Sequence, residues 1–402
     1  MARPLLRPGP AFAGLVLSFL VVMTGTTMPT PMYALYQREL GFSPLVQTAI
    51  FAVYAVGVLA VLLIAGRWSD VIGRRPLLLA GLASAVASSV VLLVAGPVWM
   101  LLVGRLLSGI SAGIFAGAAT AAVIEAAPEA WKARAASVAT AANIGGLGLG
   151  PLLAGLAVEY LPAPLHLSFA VHAAVVLGCG VLVLSAPETV DVQPGARLRP
   201  QALAVPADVR AVFVSAATAG FAGFAVVGLF TAISPRILSD VLGIANHAVA
   251  GFVAFLHLGS SALAQLGLRR LPTDRALDAG CALLIVGIVL VGFSVAQASF
   301  PALLAGAVIA GVGQGLSFSK GLAAVNAGVE PGSRAGVTSS YFVVLYVALS
   351  LPVVGVGAAS QAWGLVAAGV VFSIAVAVLA AVALASLLVL RRRTRVRLRR
   401  RT

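Results

Sequence analysis

Twelve long apolar runs follow one another along this 402-residue sequence, and they limit its fold more than any other feature. Each run approaches the roughly 20 residues that a helix needs to cross the hydrocarbon core of a bilayer. Hydrophobic residues make up 61% of the chain and charged residues 9%, which leaves only short connections between the runs. The sequence therefore predicts an all-α membrane protein with twelve transmembrane helices. We place the runs at residues 12–33, 45–65, 77–95, 98–123, 136–158, 167–185, 211–234, 247–267, 279–297, 300–323, 337–359 and 364–390.

The distribution of basic residues predicts the orientation of these helices. The formal net charge is +14, and eight of the 26 basic residues are arginines in the tail after residue 390. With the N-terminus in the cytoplasm, 23 of the 26 lie in inside segments, Arg38 and Arg236 lie outside, and Arg105 lies within a run. Such asymmetry is typical of cytoplasmic N- and C-termini and does not favour a nucleic-acid partner. The tail also suits anionic lipid head groups.

Two alternative interpretations of the chain are weaker. Arg3 and Arg7 before an apolar run resemble a secretory signal, but a second run begins about a dozen residues after the first. The two cysteines, Cys179 and Cys281, each stand alone in an apolar run and support neither a disulfide framework nor a metal site. We expect no cofactor and no metal.

The longest interior connection, from Ser185 to Arg210, divides the runs into two sets of six. It is rich in proline and charge, as linkers between bundles are. We therefore predict an N-terminal bundle at 1–185, a cytoplasmic linker at 186–210, a C-terminal bundle at 211–390 and a basic cytoplasmic tail at 391–402.

An internal repeat supports this division. Gly109 and Gly113 form a G-x-x-x-G pattern that returns 202 positions later at Gly311 and Gly315, and Pro151 has a counterpart 201 positions later. Corresponding segments half a chain apart are typical of transporters built from repeats, with the substrate site at the repeat interface.

The most specific motif lies between the second and third runs, in Gly66-Arg-Trp-Ser-Asp70-Val-Ile-Gly73-Arg74-Arg75-Pro-Leu-Leu78. The arginines alone could serve to set topology, but that does not explain Asp70 and Gly73 at this spacing. The segment resembles the signature loop of the major facilitator superfamily, G-x-L-A-D-R-x-G-R-K-x-x-L, with Trp68, Ser69 and Val71 departing from it.

The resemblance implies a cytoplasmic gate of two states. In that family the aspartate and the arginine form a latch with an acid at the end of the fourth helix, where this chain has Glu125. Asp70, Gly73, Arg74, Arg75 and Glu125 are thus the implied gate residues, intact in the outward-facing state and separated in the inward-facing state. Charge-assisted hydrogen bonds suit such a gate because they can re-form with water.

A second match is Arg105-Leu-Leu-Ser108-Gly109, similar to the family's R-x-x-Q-G element, whose arginine is associated with proton coupling. A charge about seven residues inside a span costs roughly 2.5–3.5 kcal/mol on insertion scales, so it should meet a wet cavity or a partner. The alternative is that Arg105 extends to the outer surface.

A third match is in the fifth run, where Gly146, Gly150, Pro151 and Gly155 follow most of the pattern G-x-x-x-G-P-x-x-G-G. Within the superfamily this pattern marks antiporters, particularly drug exporters, although small residues four apart also serve general close packing of helices. The motif is our main reason to expect export.

The resemblance also implies that helices 1, 4, 7 and 10 line the transport cavity. Ser108, Gln314 and Lys320 lie on these helices, so we predict that they line the path of substrate or protons together with Arg105. All twelve acids lie in loops or near run ends, so no carboxylate within a run is available for proton exchange. The candidates are a histidine within a run, with His257 favoured over His172, or the loop acids Asp70 and Glu125. Facilitated diffusion stays open.

The sequence thus predicts a secondary active transporter, monomeric, that exports small hydrophobic or drug-like molecules by alternating access, with protons as the candidate coupling ion. An importer of a small nutrient is the alternative. An enzyme is not expected, because H-E-x-x-H and acidic pairs within a run are missing from the sequence. A non-transporting receptor would not need the latch. The abundance of Ala, Gly, Val and Arg indicates a bacterial inner membrane.

Overall fold

A computed structural model describes residues 8–65, 68–190 and 200–399, with the side chains of 331–332 and 393–399 left aside. These residues are almost entirely helical and contain no β-strand. The all-α membrane fold predicted from the apolar runs is confirmed. Several predicted features lie outside the described part, namely Gly66, Arg67, the linker arginines Arg197 and Arg199, Arg3 and Arg7, and the side chains of the tail arginines from Arg393 onward.

Eleven helical stretches in the described residues are long and apolar enough to cross a membrane. They are α1 Pro8–Leu40, α2 Pro44–Ile64, α3 Arg74–Leu93, α4 Val98–Glu125, α5 Glu129–Tyr160, α6 Pro164–Ser185, α7 Arg210–Val241, α8 His247–Gly267, α9 Thr273–Gln297, α10 Phe300–Asn326, and one final stretch of 60 residues, Ser333–Arg392. A short helix, Trp68–Ile72, precedes α3.

The final stretch belongs to one helix, Pro331–Arg399, that is interrupted at Gly364. Gly364 has φ 81° and ψ 161°, a conformation that a residue with a side chain rarely adopts. We therefore treat residues 331–363 as α11 and 364–399 as α12. The helices then correspond one by one to the twelve predicted spans.

Two helices continue well beyond the apolar runs that predicted them. After Thr27, α1 passes through a short 3-10 segment into Tyr33–Leu40, and α7 reaches Val241 through two π-helical segments. Arg38 and Arg236 lie in these extensions. Hydropathy ends a run at the first polar residues, whereas a helix continues as long as its backbone bonds form, so the predicted ends fall short.

The chain divides into two compact units. The first contains residues 1–201 and 245–255, and the second contains 202–244 and 256–402. In the first unit α4 packs on α2 through glycine. A Cβ on Gly109 would meet the backbone of Tyr54 and Gly57, and one on Gly113 would lie 2.9 Å from the Cβ of Val61.

The same helix pairing is found inside the second unit. A Cβ on Gly311 would meet the backbone at His257 and Ser260 Cβ at 3.0 Å, and one on Gly315 would lie 3.0 Å from the Cα of Ser261. The two glycine pairs of the sequence repeat therefore have the same structural role, because each pair lets two helices pack in backbone contact. The boundaries of the predicted bundles and linker stay a prediction.

Candidate functional site

The predicted latch residues lie together in the first unit. The guanidinium of Arg74 donates from Nη1 to Asp70 Oδ1 at 2.5 Å and from Nη2 and Nε to the two oxygens of Glu125 at 2.9 and 3.2 Å. Nη1 also donates to Ser69 Oγ at 2.5 Å. The pair with Glu125 is bidentate, the geometry in which arginine binds a carboxylate most strongly. Arg74 is the best shielded of the three, with 12% of its side chain exposed against 58% for Asp70.

Gly73 forms the turn between the short helix and α3. Its φ is 102°, in the region that favours glycine, and it is the N-cap of α3. A Cβ at this position would also lie 2.6 Å from Glu188 Oε2. Glycine is therefore favoured at position 73 for two reasons: the turn needs a positive φ, and a Cβ would overlap the carboxylate of Glu188.

Glu188 lies next to the predicted latch, a position that the sequence reasoning did not anticipate. Its Oε1 accepts from the backbone N–H of Arg74 at 2.9 Å, and its Oε2 accepts from the N–H of Arg75 at 3.0 Å. Helix α3 has no acidic residue in its first turn and begins with two arginines, which is unfavourable at the positive end of the helix dipole. The carboxylate of Glu188 supplies the missing negative charge at this end of α3 and accepts hydrogen bonds from two of its free backbone N–H groups. The sequence shows that α3 begins without a capping side chain, but it does not indicate which distant acid caps the helix.

Thr189 extends the latch to the residue after Glu188. Its Oγ1 donates to Glu125 Oε2 at 2.5 Å, so Glu125 accepts from both Arg74 and Thr189. The end of α6 is thus joined to the start of α3 and the end of α4. With 33% of the Glu125 side chain exposed, water can replace these bonds if the helices separate.

Arg105 is buried inside the first unit and does not extend to the surface. Nη1 donates to the carbonyl oxygen of Thr26 at 2.5 Å, and the guanidinium lies 4.7 Å from the ring centroid of Tyr54 and 6.0 Å from that of Phe51. Its Nε has no hydrogen-bond partner among the described residues. The cation is held by the faces of Tyr54 and Phe51, by the Thr26 carbonyl and by an interaction with Tyr33, while the Nε proton has no acceptor among the described residues.

Ser108 lines a narrow cavity next to Arg105 along α4. Other polar residues there are Thr26, Ser88, Ser89, Ser111 and His172. The cavity measures about 10 Å³, room for at most one water molecule. His172 is bonded on both ring nitrogens, Nδ1 to Ser89 Oγ at 2.8 Å and Nε2 to the carbonyl of Val21 at 3.2 Å. Because a carbonyl only accepts, Nε2 carries the proton.

Gln314 and Lys320 both lie on α10 in the second unit but make separate contacts. Gln314 Oε1 accepts from Ser261 Oγ at 2.5 Å. Lys320 Nζ donates to the carbonyl oxygens of Arg269 and Leu271, each at 2.7 Å, and so satisfies the backbone after the end of α8. The lysine predicted as a path residue has a structural contact in this state.

His257 is fully buried on α8 in the second unit. Its ring stacks on Phe230 with centroids 4.5 Å apart, and Nδ1 bonds to the carbonyl of Ala307 at 3.2 Å. Nε2 is buried and has no partner among the described residues. The carbonyl contact places the proton on Nδ1, which leaves Nε2 with a lone pair.

The helix α5 motif packs against α1 through its glycines. A Cβ on Gly146 would lie 2.5 Å from the carbonyl oxygen of Leu20 and 2.6 Å from Met23 Cβ, and one on Gly150 would meet the backbone at Thr24 and Met28. Pro151 lacks the N–H that would bond to the carbonyl of Leu147, and Thr27 Oγ1 donates to that oxygen instead, at 2.8 Å.

Farther along α5, Gly155 and Glu159 contact the first turns of α8, which belong to the same unit. A Cβ on Gly155 would lie 3.2 Å from the Cα of Gly251. Glu159 Oε2 accepts from the backbone N–H of His247 at 2.9 Å and lies 3.3 Å from its Nδ1. The motif therefore connects α5 to two helices at backbone distance.

Among the described residues, no three His, Cys, Asp or Glu side chains are grouped so that they could hold a metal ion. Of the predicted gate residues, Asp70, Arg74 and Glu125 are in contact, Gly73 forms the turn beside them, and Arg75 takes part through its backbone N–H to Glu188. Their role as a gate stays a prediction. Arg105 and Ser108 lie in the same unit, and Gln314, Lys320 and His257 lie in the other.

Comparison with known proteins identifies the fold and a set of relatives. The sequence profile of the Major Facilitator Superfamily matches residues 15–352. Peptide transporter POT has a similar structure, with a TM-score of 0.76 at 16% identity over 95% of this chain and 96% of POT. A bacterial homologue of the human lysosomal transporter Spinster gives a TM-score of 0.71 at 16% identity over 96% of this chain and 97% of that one.

Two relatives by sequence are tetracycline resistance proteins. The class D protein of Salmonella ordonez is 36% identical over 138 residues, which is 34% of this chain and 33% of the relative. The class E protein of Escherichia coli is 32% identical over 162 residues, or 39% of this chain and 40% of the relative. The aligned part thus spans only about a third to two fifths of each relative.

Proposed function

The chain belongs to the major facilitator superfamily and is a multi-pass membrane transporter of a small-molecule substrate, and we propose that it exports hydrophobic or drug-like compounds. Transport proceeds by alternating access, with the Arg74 latch closing one side of the protein. The proposed location is a bacterial inner membrane with both termini in the cytoplasm, and the working unit is a monomer.

The observation that carries the export proposal is the packing of the α5 motif. Gly146 and Gly150 bring α5 to backbone distance from α1, and Gly155 does the same for α8. Pro151 interrupts the helix between these contacts, and a hydroxyl on α1 replaces the lost bond. The tetracycline resistance of the two relatives supports the same direction.

Proton coupling belongs to the proposal. His257 Nε2 and Arg105 Nε are buried polar atoms that no described group satisfies. Burying an ionisable group inside a membrane protein costs free energy, so such groups usually have a function. The importer alternative uses the same fold and differs only in the direction of net flux.

A sensitivity screen tests the proposal. A deletion strain and an overexpressing strain are compared for growth across a panel of toxic compounds that includes tetracycline, and resting cells are assayed for accumulation of each compound that scores. Export predicts greater resistance and lower accumulation in the overexpressing strain. Higher accumulation would favour import, and no shift for any compound would remove the basis for drug export.

A further inference from the structure

A crevice opens between α1, α5 and α6 within the first unit and measures about 320 Å³. That volume falls within the range of pockets that hold small molecules, about 300–1,000 Å³. Its lining is apolar apart from Thr24, Ser168 and His172. We call this feature the lateral crevice.

Several residues that line the lateral crevice are also exposed at the surface of the protein. Leu153 on α5 is 51% exposed, and Val171 and Val175 on α6 are 53% and 45% exposed. Because α5 and α6 are spanning helices, these apolar side chains face hydrocarbon in a membrane. A molecule that enters the crevice between them therefore comes from the bilayer and not from water.

The lateral crevice is elongated along the helix axes. On α6 its lining runs from Leu167 to Val175, and on α5 it runs from Leu149 to Leu161. At a rise of 1.5 Å per residue these stretches are about 12 and 18 Å long. Each leaflet contributes about 15 Å of hydrocarbon to the core of a bilayer. The crevice thus matches the depth of one leaflet, and an acyl chain that lies parallel to the helices fits it.

Ser168 lies toward the end of the lateral crevice that is nearest the membrane surface. Tyr160 ends α5 with 68% of its surface exposed, as is typical of tyrosines at a membrane interface, and α6 begins at Pro164. Ser168 is one turn into α6, about 6 Å along its axis. The acyl esters of phospholipids lie at this level, between the head groups and the hydrocarbon core.

The hydroxyl of Ser168 is unpaired, unlike the other polar groups of the lining. Thr24 Oγ1 donates to the carbonyl oxygen of Leu20 at 2.9 Å, and His172 is bonded on both ring nitrogens. Ser168 Oγ is buried and has no hydrogen-bond partner among the described residues. A buried hydroxyl without a partner costs free energy, and a rotation about its one side-chain torsion, χ1, is enough to turn it toward a molecule in the crevice.

A second groove in the same unit has no such hydroxyl. It lies between α3 and α6 and measures about 580 Å³, and every residue that lines it is apolar. A lipid chain in this groove gains apolar contact but no hydrogen bond. The comparison separates the two contributions, because both features face the bilayer and only the lateral crevice offers a free hydroxyl at the level of the esters.

We propose that the lateral crevice binds one acyl chain of a membrane phospholipid and that Ser168 Oγ donates a hydrogen bond to the ester carbonyl of that chain. This lipid site does not depend on the proposed export. One hydrogen bond should make an ester-linked lipid bind about two- to tenfold more tightly than an ether-linked lipid, which has no carbonyl.

Native mass spectrometry of the full-length protein tests this with two probes, dioleoylphosphatidylcholine and its dioleyl ether analogue. We expect wild type to show one binding step in which the ester lipid binds about two- to tenfold more tightly. Ser168→Ala should lower the affinity for the ester lipid to that for the ether lipid. Ala157→Phe should weaken the binding of both lipids in this step, because Ala157 lines the crevice and the larger side chain fills it.

Two variants are matched controls. Ser185→Ala removes a hydroxyl at the other end of α6, and Ala87→Phe fills the groove between α3 and α6. Both should retain the preference for the ester lipid. Thermal unfolding of every variant identifies any that is misfolded.

Equal binding of the two lipids by wild type would overturn the proposal, and that comparison needs no substitution. A preference for the ester lipid that persists in Ser168→Ala or in Ala157→Phe would also overturn it, because the ester would then be bound elsewhere. Dimers in the same spectra that Ala157→Phe dissociates would assign the lateral crevice to a second copy of the chain instead of a lipid.

Discussion

Thr27 donates its hydroxyl hydrogen to the carbonyl oxygen of Leu147 at 2.8 Å, the oxygen that Pro151 leaves without its partner in α5. An α-helix that contains proline loses the bond to the residue four positions earlier. A side chain on α1 thus completes the backbone of α5, which joins the two helices at the site of the antiporter-like motif.

Replacing Thr27 by valine should lower stability by leaving the part-buried Leu147 carbonyl unpaired. The expected cost is about 1–3 kcal/mol in the free energy of unfolding. Thr27→Ser should retain most of the wild-type stability. The measurement is the unfolding midpoint of the purified protein, followed by intrinsic tryptophan fluorescence.

A second substitution supplies the control for this prediction. Pro151→Ala restores a backbone N–H that can bond to Leu147, so Thr27→Val should cost much less in that background. If Thr27→Val costs the same with and without the Pro151→Ala change, the hydroxyl does not replace the missing helical bond.

Gly146 and its neighbour Gly145 offer a matched test of the contact between α1 and α5. Gly146→Ala would place a Cβ 2.5 Å from the carbonyl oxygen of Leu20, whereas a Cβ on Gly145 has no atom within 4 Å. We expect the first change to cost about 1–3 kcal/mol through overpacking. The second should be neutral or stabilising by up to about 1 kcal/mol. Thermal unfolding measures both, and similar midpoints would contradict the contact.

Gly73→Ala should both strain the turn before α3 and displace Glu188. Gly41 also has a positive φ, of 66°, but its ψ of 25° is left-handed helical and its Cβ position is open, so Gly41→Ala measures ordinary left-handed strain with no displaced neighbour. We expect about 1–2 kcal/mol at Gly41 and about 1–3 kcal/mol of backbone strain at Gly73, whose ψ of 155° puts it in a region that is nearly restricted to glycine, with an additional loss there from displacing Glu188. The measurement is again the unfolding midpoint.

Gly73→Ala should therefore cost less in a Glu188→Ala background than in the wild type, since no carboxylate then occupies the space. If Gly73→Ala costs the same in both backgrounds, Glu188 does not occupy the position beside the turn.

His257 should contribute to the pH dependence of transport if water reaches its buried Nε2 during the cycle, because burial disfavours the charged imidazolium and the Nε2 lone pair can take up a proton only when the ring is hydrated. His257→Gln should therefore flatten or shift the pH profile of efflux from energised cells. His166→Gln, an exposed change at the start of α6, is the control. A profile identical to that of wild type would remove His257 from the mechanism.

Features formed by residues that are close together in the sequence could be predicted. The apolar runs give the helices, since length and hydropathy are properties of consecutive residues. Asp70, Gly73 and Arg74 lie within five positions of each other, so their turn and ion pair follow from spacing and from the family motif.

Contacts between distant segments could not be predicted in this way. Glu188 caps α3 from 114 positions away and looks in the sequence like any linker carboxylate. The bond from Thr27 to Leu147 spans 120 positions, and the contacting rings of Phe224, Phe318 and Phe342 come from three helices. Such partners are chosen by packing, which the order of residues alone does not reveal.

The most direct test of the account is energised uptake of tetracycline into everted membrane vesicles that contain wild type, Arg74→Gln or Lys132→Gln. Export from the cell becomes uptake in this orientation. Lys132 pairs with Glu129 on the exposed surface and serves as the control. We predict uptake by wild type and Lys132→Gln, and about tenfold less by Arg74→Gln at equal expression, since the bidentate bond to Glu125 is lost. Wild-type vesicles that extrude the compound, or an Arg74→Gln variant as active as wild type, would contradict the account.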